Sequence, residues 1–188
     1  MNSRYLAVDT ETLGLKTLRD RLCVVQMCNE DGITTLVQTR NYQAPLLKKV
    51  LEAPGVTKIF HFARFDLAAL KHWLHVDVNP SYCTKIASRL IRTYTGSHGL
   101  KDLTQELLGI TLDKQQQSSD WAADTLTPAQ VGYAASDVTH LIAIKERLDA
   151  LLERENRAVL AADVMACLPA RVRLDLAGWE EEDIFAHH

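Results

Sequence analysis

Near Arg64 the hydrophobic pattern of this chain changes period, and that change restricts its fold more than any other signal. Before it, short apolar runs dominate, at residues 5–8, 22–27 and 33–37, the last two joined across the hairpin signal Asp31-Gly32. A short helix is expected at residues 44–51, ended by Pro54-Gly55, and a fourth strand at residues 58–62. Beyond Arg64 the spacing is helical: Leu67, Leu70 and Leu74 recur at three and four. Leu100, Leu103, Leu107 and Leu108 make a second stripe, stopped by Gly109. Thr127-Pro128-Ala129-Gln130 combines an N-cap threonine, an N1 proline and an N3 glutamine, which is a capping box. The helix it opens is expected to run through Tyr133, Asp137, Leu141 and Leu148 to about residue 152, and a last helix to cover residues 158–167. Strands first and mixed elements afterwards predict an α/β fold, a central mixed sheet flanked by helices.

A length of 188 residues suits one domain, read as a catalytic core over about residues 1–155 and a C-terminal helix with an acidic tail over about 156–188. The 47% apolar content excludes disorder as the main state. No run approaches the roughly 20 apolar residues of a membrane span. Residues 1–5 lack an apolar segment behind their single charge, so a cytoplasmic location without membrane contact is expected. The net charge of −3 resides in residues 171–188, two arginines against five acids, and the rest is neutral. A broad basic groove is therefore excluded, and any nucleic-acid site must be a small local pocket. Cys23, Cys28, Cys83 and Cys167 lack zinc spacing and are expected to be reduced, half-buried thiols, with Cys23 and Cys28 on opposite strand faces.

Three acidic groupings stand out, each with a bland reading. Asp9 and Glu11 end the first strand two apart, so their carboxylates share a face; alone they could be two exposed acids. Asp66 follows the fourth strand and could simply meet free N–H groups at a helix start. Tyr133 and Asp137 lie four apart on the capped helix, roughly 6 Å between Cβ atoms. Gly132, Ala134, Ala135 and Ser136 around them are small enough for close approach, and alone the pair could be a partly buried tyrosine with a solvated acid beside it.

Taken together and in this order, Asp9-x-Glu11, Phe65-Asp66 and Tyr133-x-x-x-Asp137 resemble the three motifs of the DEDD exonuclease superfamily. The tyrosine marks its DEDDy branch; the DEDDh branch has histidine where Gly132 stands here. Gly99-Leu100-Lys101-Asp102-Leu103, Leu112-Asp113-Lys114 and Ser119-Asp120-Trp121 look like ribonuclease D signature segments. The chain has no room for the additional helical domains of ribonuclease D, so it most resembles the small nanoRNase C group. That resemblance implies a ribonuclease H-like fold and a metal-dependent 3′-5′ exoribonuclease. It also implies short oligoribonucleotides as substrates, down to dinucleotides, with release of nucleoside 5′-monophosphates, and a ring-shaped homo-oligomer such as an octamer. The sequence departs from many members at His61-Phe62-Ala63-Arg64, where they carry asparagine; His61 is the candidate for that polar contact.

Gathering Asp9, Glu11, Asp66 and Asp137 is costly without cations, because two like charges about 4 Å apart repel by about 4 kcal/mol at an effective dielectric near 20. All-oxygen ligation suits Mg²⁺ or Mn²⁺, and two ions about 3.5–4 Å apart serve in-line displacement at phosphorus. Tyr133, whose unperturbed pKa is about 10, is assigned to orienting the attacking water rather than to acting as base. Candidate substrate contacts are Thr10 and Thr12 beside the acids, His61, and Leu13, Leu15 and Phe65 against the terminal base. Leu13 and Leu15 read equally well as ordinary core or loop leucines. Ser97, His98 and Lys101 are expected to hold a 5′ phosphate at a helix start; N-capping by Ser97 is the alternative. The competing activities are trimming of longer RNA 3′ ends or single-stranded DNA, and, in another class, a non-catalytic nucleotide-binding module.

Overall fold

The computed structural model describes residues 3–113, 116 and 118–187. The sequence readings that fall on Met1, Asn2 and Lys114 lie outside the described residues. The chain opens with β1 (Tyr5–Thr12), β2 (Leu22–Asn29) and β3 (Thr34–Gln38), and continues through α1 (Pro45–Leu51) into β4 (Thr57–Phe60). The α/β expectation is met by a five-stranded mixed sheet in the order β3-β2-β1-β4-β5. The first three strands are antiparallel, while β4 runs parallel to β1, so the two end at the same edge. The expected hairpin closes at Gly32, whose φ of 78° is left-handed, over an Asn29 side chain that accepts from the Asp31 and Ile33 amides.

Strand β4 stops at Phe60 rather than running to residue 62, because Phe62 turns left-handed (φ 67°) and starts α2 (Ala63–Leu74) directly. That early turn puts Asp66 in the first turn of a helix beside the sheet edge. The sequence reading had nothing for β5 (Ser81–Cys83) and α3 (Thr84–Ile91). The strand is only three residues long, and Thr84 and Ser88, one turn apart on α3, are buried polar residues that break any apolar stripe. They are satisfied from outside the helix instead: Thr84 donates to the Phe60 carbonyl at 3.2 Å, and Ser88 meets His98 Nδ1 at 2.8 Å.

Helix α4 (Leu100–Leu108) ends at Gly109 as expected, in the left-handed region. The capping box is present with both reciprocal bonds, but the helix it opens is two: α5 (Pro128–Thr139) and α6 (Leu141–Arg154), broken at His140. Ser136 and Thr139 bond back to the carbonyls of Tyr133 and Ala135, which loosens a helix end. Two further helices, α7 (Ala158–Ala166) and α8 (Leu168–Leu174), pack into the same hydrophobic core as the sheet through Met165, Leu168 and Val172. A π turn over Asp175–Trp179 follows. Three cysteines are fully buried rather than half-buried, Cys167 is exposed, and all four are free. Among the described residues no helix is long and apolar enough to cross a membrane.

Candidate active site

Alternation along β1 divides its residues between two helices. Asp9 and Glu11 point to the face that α5 covers, because their ladder partners Gln26 and Val24 share it, and Val24 packs with Ala134 of α5. Thr10 points to the opposite face and meets α2 there, donating from Oγ1 to Asp66 Oδ1 at 2.6 Å. On α5, Tyr133 and Asp137 stack one turn apart, and the tyrosine ring lies 6.0 Å from that of buried Trp121.

The result is a trio. Asp9, Glu11 and Asp137 each offer a carboxylate oxygen within 4.8 Å of the others'. Asp66 lies beside this group rather than inside it, 3% exposed and tied to Thr10. The four acids share one electrostatic field. Burial, then the charges of Asp66, Glu11 and Asp137, push the Asp9 carboxyl well above the ordinary carboxylate range. Burial, then Asp137 and Asp66, push Glu11 up to about 8. Burial raises Asp66 to about 7 against the pull of its hydrogen bonds. The Tyr133 phenol is raised too, by burial first and then by Asp137 and Glu11, so it keeps its proton and acts as a donor.

This donor set fits a hard divalent cation. It is all oxygen and concentrated, and the charges that act on Asp9 and Glu11 are those of the neighbouring acids. Only added positive charge would hold these carboxylates ionised together, and Mg²⁺ or Mn²⁺ suits the ligands.

The remaining sequence candidates fall into two groups. Near the acids, Thr12 donates to the Gly14 carbonyl at 2.6 Å and shapes the loop that carries Leu13 and Leu15. Those leucines are 52% and 85% exposed, which removes the core reading. The loop is tight at Gly14: a Cβ there would run into the Asp20 carboxylate. Phe65 is half-buried next to Asp66. Thr10 is buried with its hydroxyl committed to Asp66, so any ligand contact falls to its main chain. His61 Nδ1 meets Thr84 Oγ1 at 2.9 Å.

Beyond α3 lies the second group. Ser97 does not cap α4, because the N-cap is Gly99. Ser97 is exposed and its carbonyl accepts from Arg92 at 2.7 Å, while His98 is anchored on Ser88 and Lys101 is exposed. Sequence reasoning missed Gln26, which is fully buried and donates from Nε2 to Asp9 at 2.7 Å and Glu11 at 3.4 Å. Its signal was a lone amide inside the apolar run of β2.

Comparison with known proteins bears on this arrangement. Residues 1–153 match the 3′-5′ exonuclease domain family. Ribonuclease D of Granulibacter bethesdensis is 33% identical over 181 residues, covering 94% of this chain and 45% of that protein. The chain thus spans about half the length of the curated relatives it matches. Among solved structures, Brucella melitensis NrnC bound to pGG is 50% identical with a TM-score of 0.95, covering 99% of this chain and 91% of that one. The same protein with bound Mg²⁺ is 49% identical at TM-score 0.94, covering 99% and 92%.

Proposed function

The chain belongs to the 3′-5′ exonuclease family, and from that membership we propose that it hydrolyses short oligoribonucleotides, down to dinucleotides, releasing nucleoside 5′-monophosphates. The observation that carries the reading is the trio Asp9, Glu11 and Asp137 with Asp66 and Tyr133 beside it. A pure nucleotide binder has no use for concentrated negative charge near phosphate. The likeness to NrnC, whose solved forms include one with pGG and one with Mg²⁺, supports both the short substrate and the metal.

In this reading Asp9, Glu11, Asp66 and Asp137 hold two Mg²⁺ or Mn²⁺ ions. Bound there, the ions supply Lewis acidity and charge neutralisation at the scissile phosphate. Tyr133 donates from its phenolic hydroxyl to orient the attacking water, since its proton is held too firmly for it to serve as base. Thr10 fixes Asp66 by donating to its Oδ1. Leu13 and Leu15 offer exposed apolar surface to the terminal base, with Phe65 and His61 at the same edge. Ser88 accepts from Arg92 at 3.0 Å and meets His98 Nδ1 at 2.8 Å, which anchors the imidazole. From there His98, with Lys101 and Ser97, meets a 5′ phosphate. Local caps of this kind suit a ligand with too few phosphates for counterion-driven binding.

The same reading takes residues 1–155 as the catalytic core and includes a ring-forming homo-oligomer. The exposed Trp179 and Phe185 near the C-terminus support it as apolar surface open to a second copy.

Labelled RNAs of two to about ten nucleotides, degraded with Mg²⁺ or with EDTA, test the proposal. The expected result is activity abolished by chelator, restored by Mg²⁺, and greatest on the dinucleotide. Chelator-insensitive activity contradicts the metal-dependent reading, and a preference for the longest RNA moves the substrate to ribonuclease D-like trimming.

A further inference from the structure

Strand β2 is apolar from Leu22 to Cys28 except at one position, and that position faces the acids. Gln26 is 0% exposed and is the direct ladder partner of Asp9. Its amide nitrogen carries two hydrogens, and it meets two carboxylates: Asp9 Oδ2 at 2.7 Å and Glu11 Oε1 at 3.4 Å. Its other atom, Oε1, is buried and is one of three buried side-chain N or O atoms without a hydrogen-bond partner among the described residues. A glutamine kept for stability would have both ends satisfied, since a buried acceptor left without a donor is destabilising. Here the fold tolerates an unpartnered acceptor in order to aim the donor end at the acid pair.

We propose that Gln26 is a positioning residue: it bridges Asp9 and Glu11 and fixes one oxygen of each, so that the remaining oxygens present a set spacing to the divalent cation. This rests on the metal-dependent reading above. A strand pair alone does not set that spacing, because each side chain has several rotamers and the terminal carboxylate torsion is broad. A neutral amide does so without bringing a positive charge that would compete with the cation, as lysine or arginine would. Partners that orient metal ligands in this way change metal affinity by about 10- to 100-fold when removed.

Two variants separate positioning from plain structure. Gln26→Met keeps length and removes both polar ends; Gln26→Leu is the better fit to an apolar strand. Free Mn²⁺ measured by electron paramagnetic resonance gives the dissociation constant without reference to activity, and thermal unfolding in EDTA gives the stability of the metal-free fold. The expected result is a Mn²⁺ dissociation constant raised about 10-fold or more, with melting in EDTA unchanged or higher, because the unpartnered acceptor is gone. A dissociation constant within about twofold of wild type overturns the proposal, as does weakened binding that appears in both variants only with lower melting temperature in EDTA. If wild type itself takes up no Mn²⁺, the metal-dependent reading fails. If wild type binds and the variants match it, Gln26 alone is excluded.

Discussion

Two glutamates of this chain lie in opposite electrostatic settings. Glu106 on α4 accepts from the buried Arg92 guanidinium and from Tyr94, and its carboxyl is drawn down to about 2. Glu11 on β1 is pushed up to about 8, by burial first and then by the acids Asp137 and Asp66 beside it. The same division runs through the aspartates. Asp175 is buried between Arg64 and Arg171, which also hold the tail through the carbonyls of Trp179, Glu180 and Glu182. Asp9 is half-buried among Asp66, Glu11 and Asp137. Where the fold answers a charge internally, the charge holds elements together. Where it concentrates charge and supplies no counter-charge, the partner must come from outside, and at β1 that partner is a divalent cation.

The sharpest way to break this contrast is to remove one acid of the unanswered group. Asp137→Asn is expected to lower turnover about a thousandfold, the equivalent of about 4 kcal/mol of barrier, while melting in EDTA stays equal or rises because repulsion is relieved. Steady-state kinetics and thermal unfolding check both halves. Tyr133→Phe comes next: about a hundredfold loss of kcat with KM nearly unchanged, as expected for an orienting donor. Turnover near wild type would remove that role.

On the answered side, Arg64→Ala should leave dinucleotide turnover within about twofold and lower unfolding free energy by about 1–3 kcal/mol. The loss is limited because Arg171 still bonds Asp175 at 2.8 Å. Denaturant titration measures it. The remaining effect is one of pH. With Glu11 near about 8 and Asp66 near about 7, the metal-free fold binds more protons than the unfolded chain between about pH 5 and pH 8. Stability in EDTA therefore falls as pH rises through that window. Added Mg²⁺ reverses the trend, because it favours the ionised acids, so the Mg²⁺-induced gain in melting temperature grows with pH. Melting curves at several pH values, with and without the ion, show whether it does.

What could be read from the sequence was the part in which residue type and spacing act locally. Asp9-x-Glu11 on one strand face and Tyr133-x-x-x-Asp137 on one helix face follow from strand and helix periods, and the Thr127–Gln130 cap is a local hydrogen-bond pattern. The break at His140 was not legible, because the apolar period carries on across it and only hydroxyl back-bonding marks the end of α5. Helix α3 hid for the opposite reason: its buried face is polar, and Thr84 and Ser88 are satisfied by residues distant in sequence. Gln26 was absorbed into an apolar run, since nothing local says that its partners are Asp9 and Glu11 on the next strand. The separation of Asp66 from the tight trio was equally hidden, being set by a side-chain bond across 56 residues.

Crystals grown with Mn²⁺ and examined by anomalous diffraction test the central claim most directly. Strong peaks bounded by the carboxylates of Asp9, Glu11 and Asp137, with Asp66 alongside, are the predicted result. Full Mn²⁺ occupancy elsewhere on the molecule, with no peak among those acids, would contradict it.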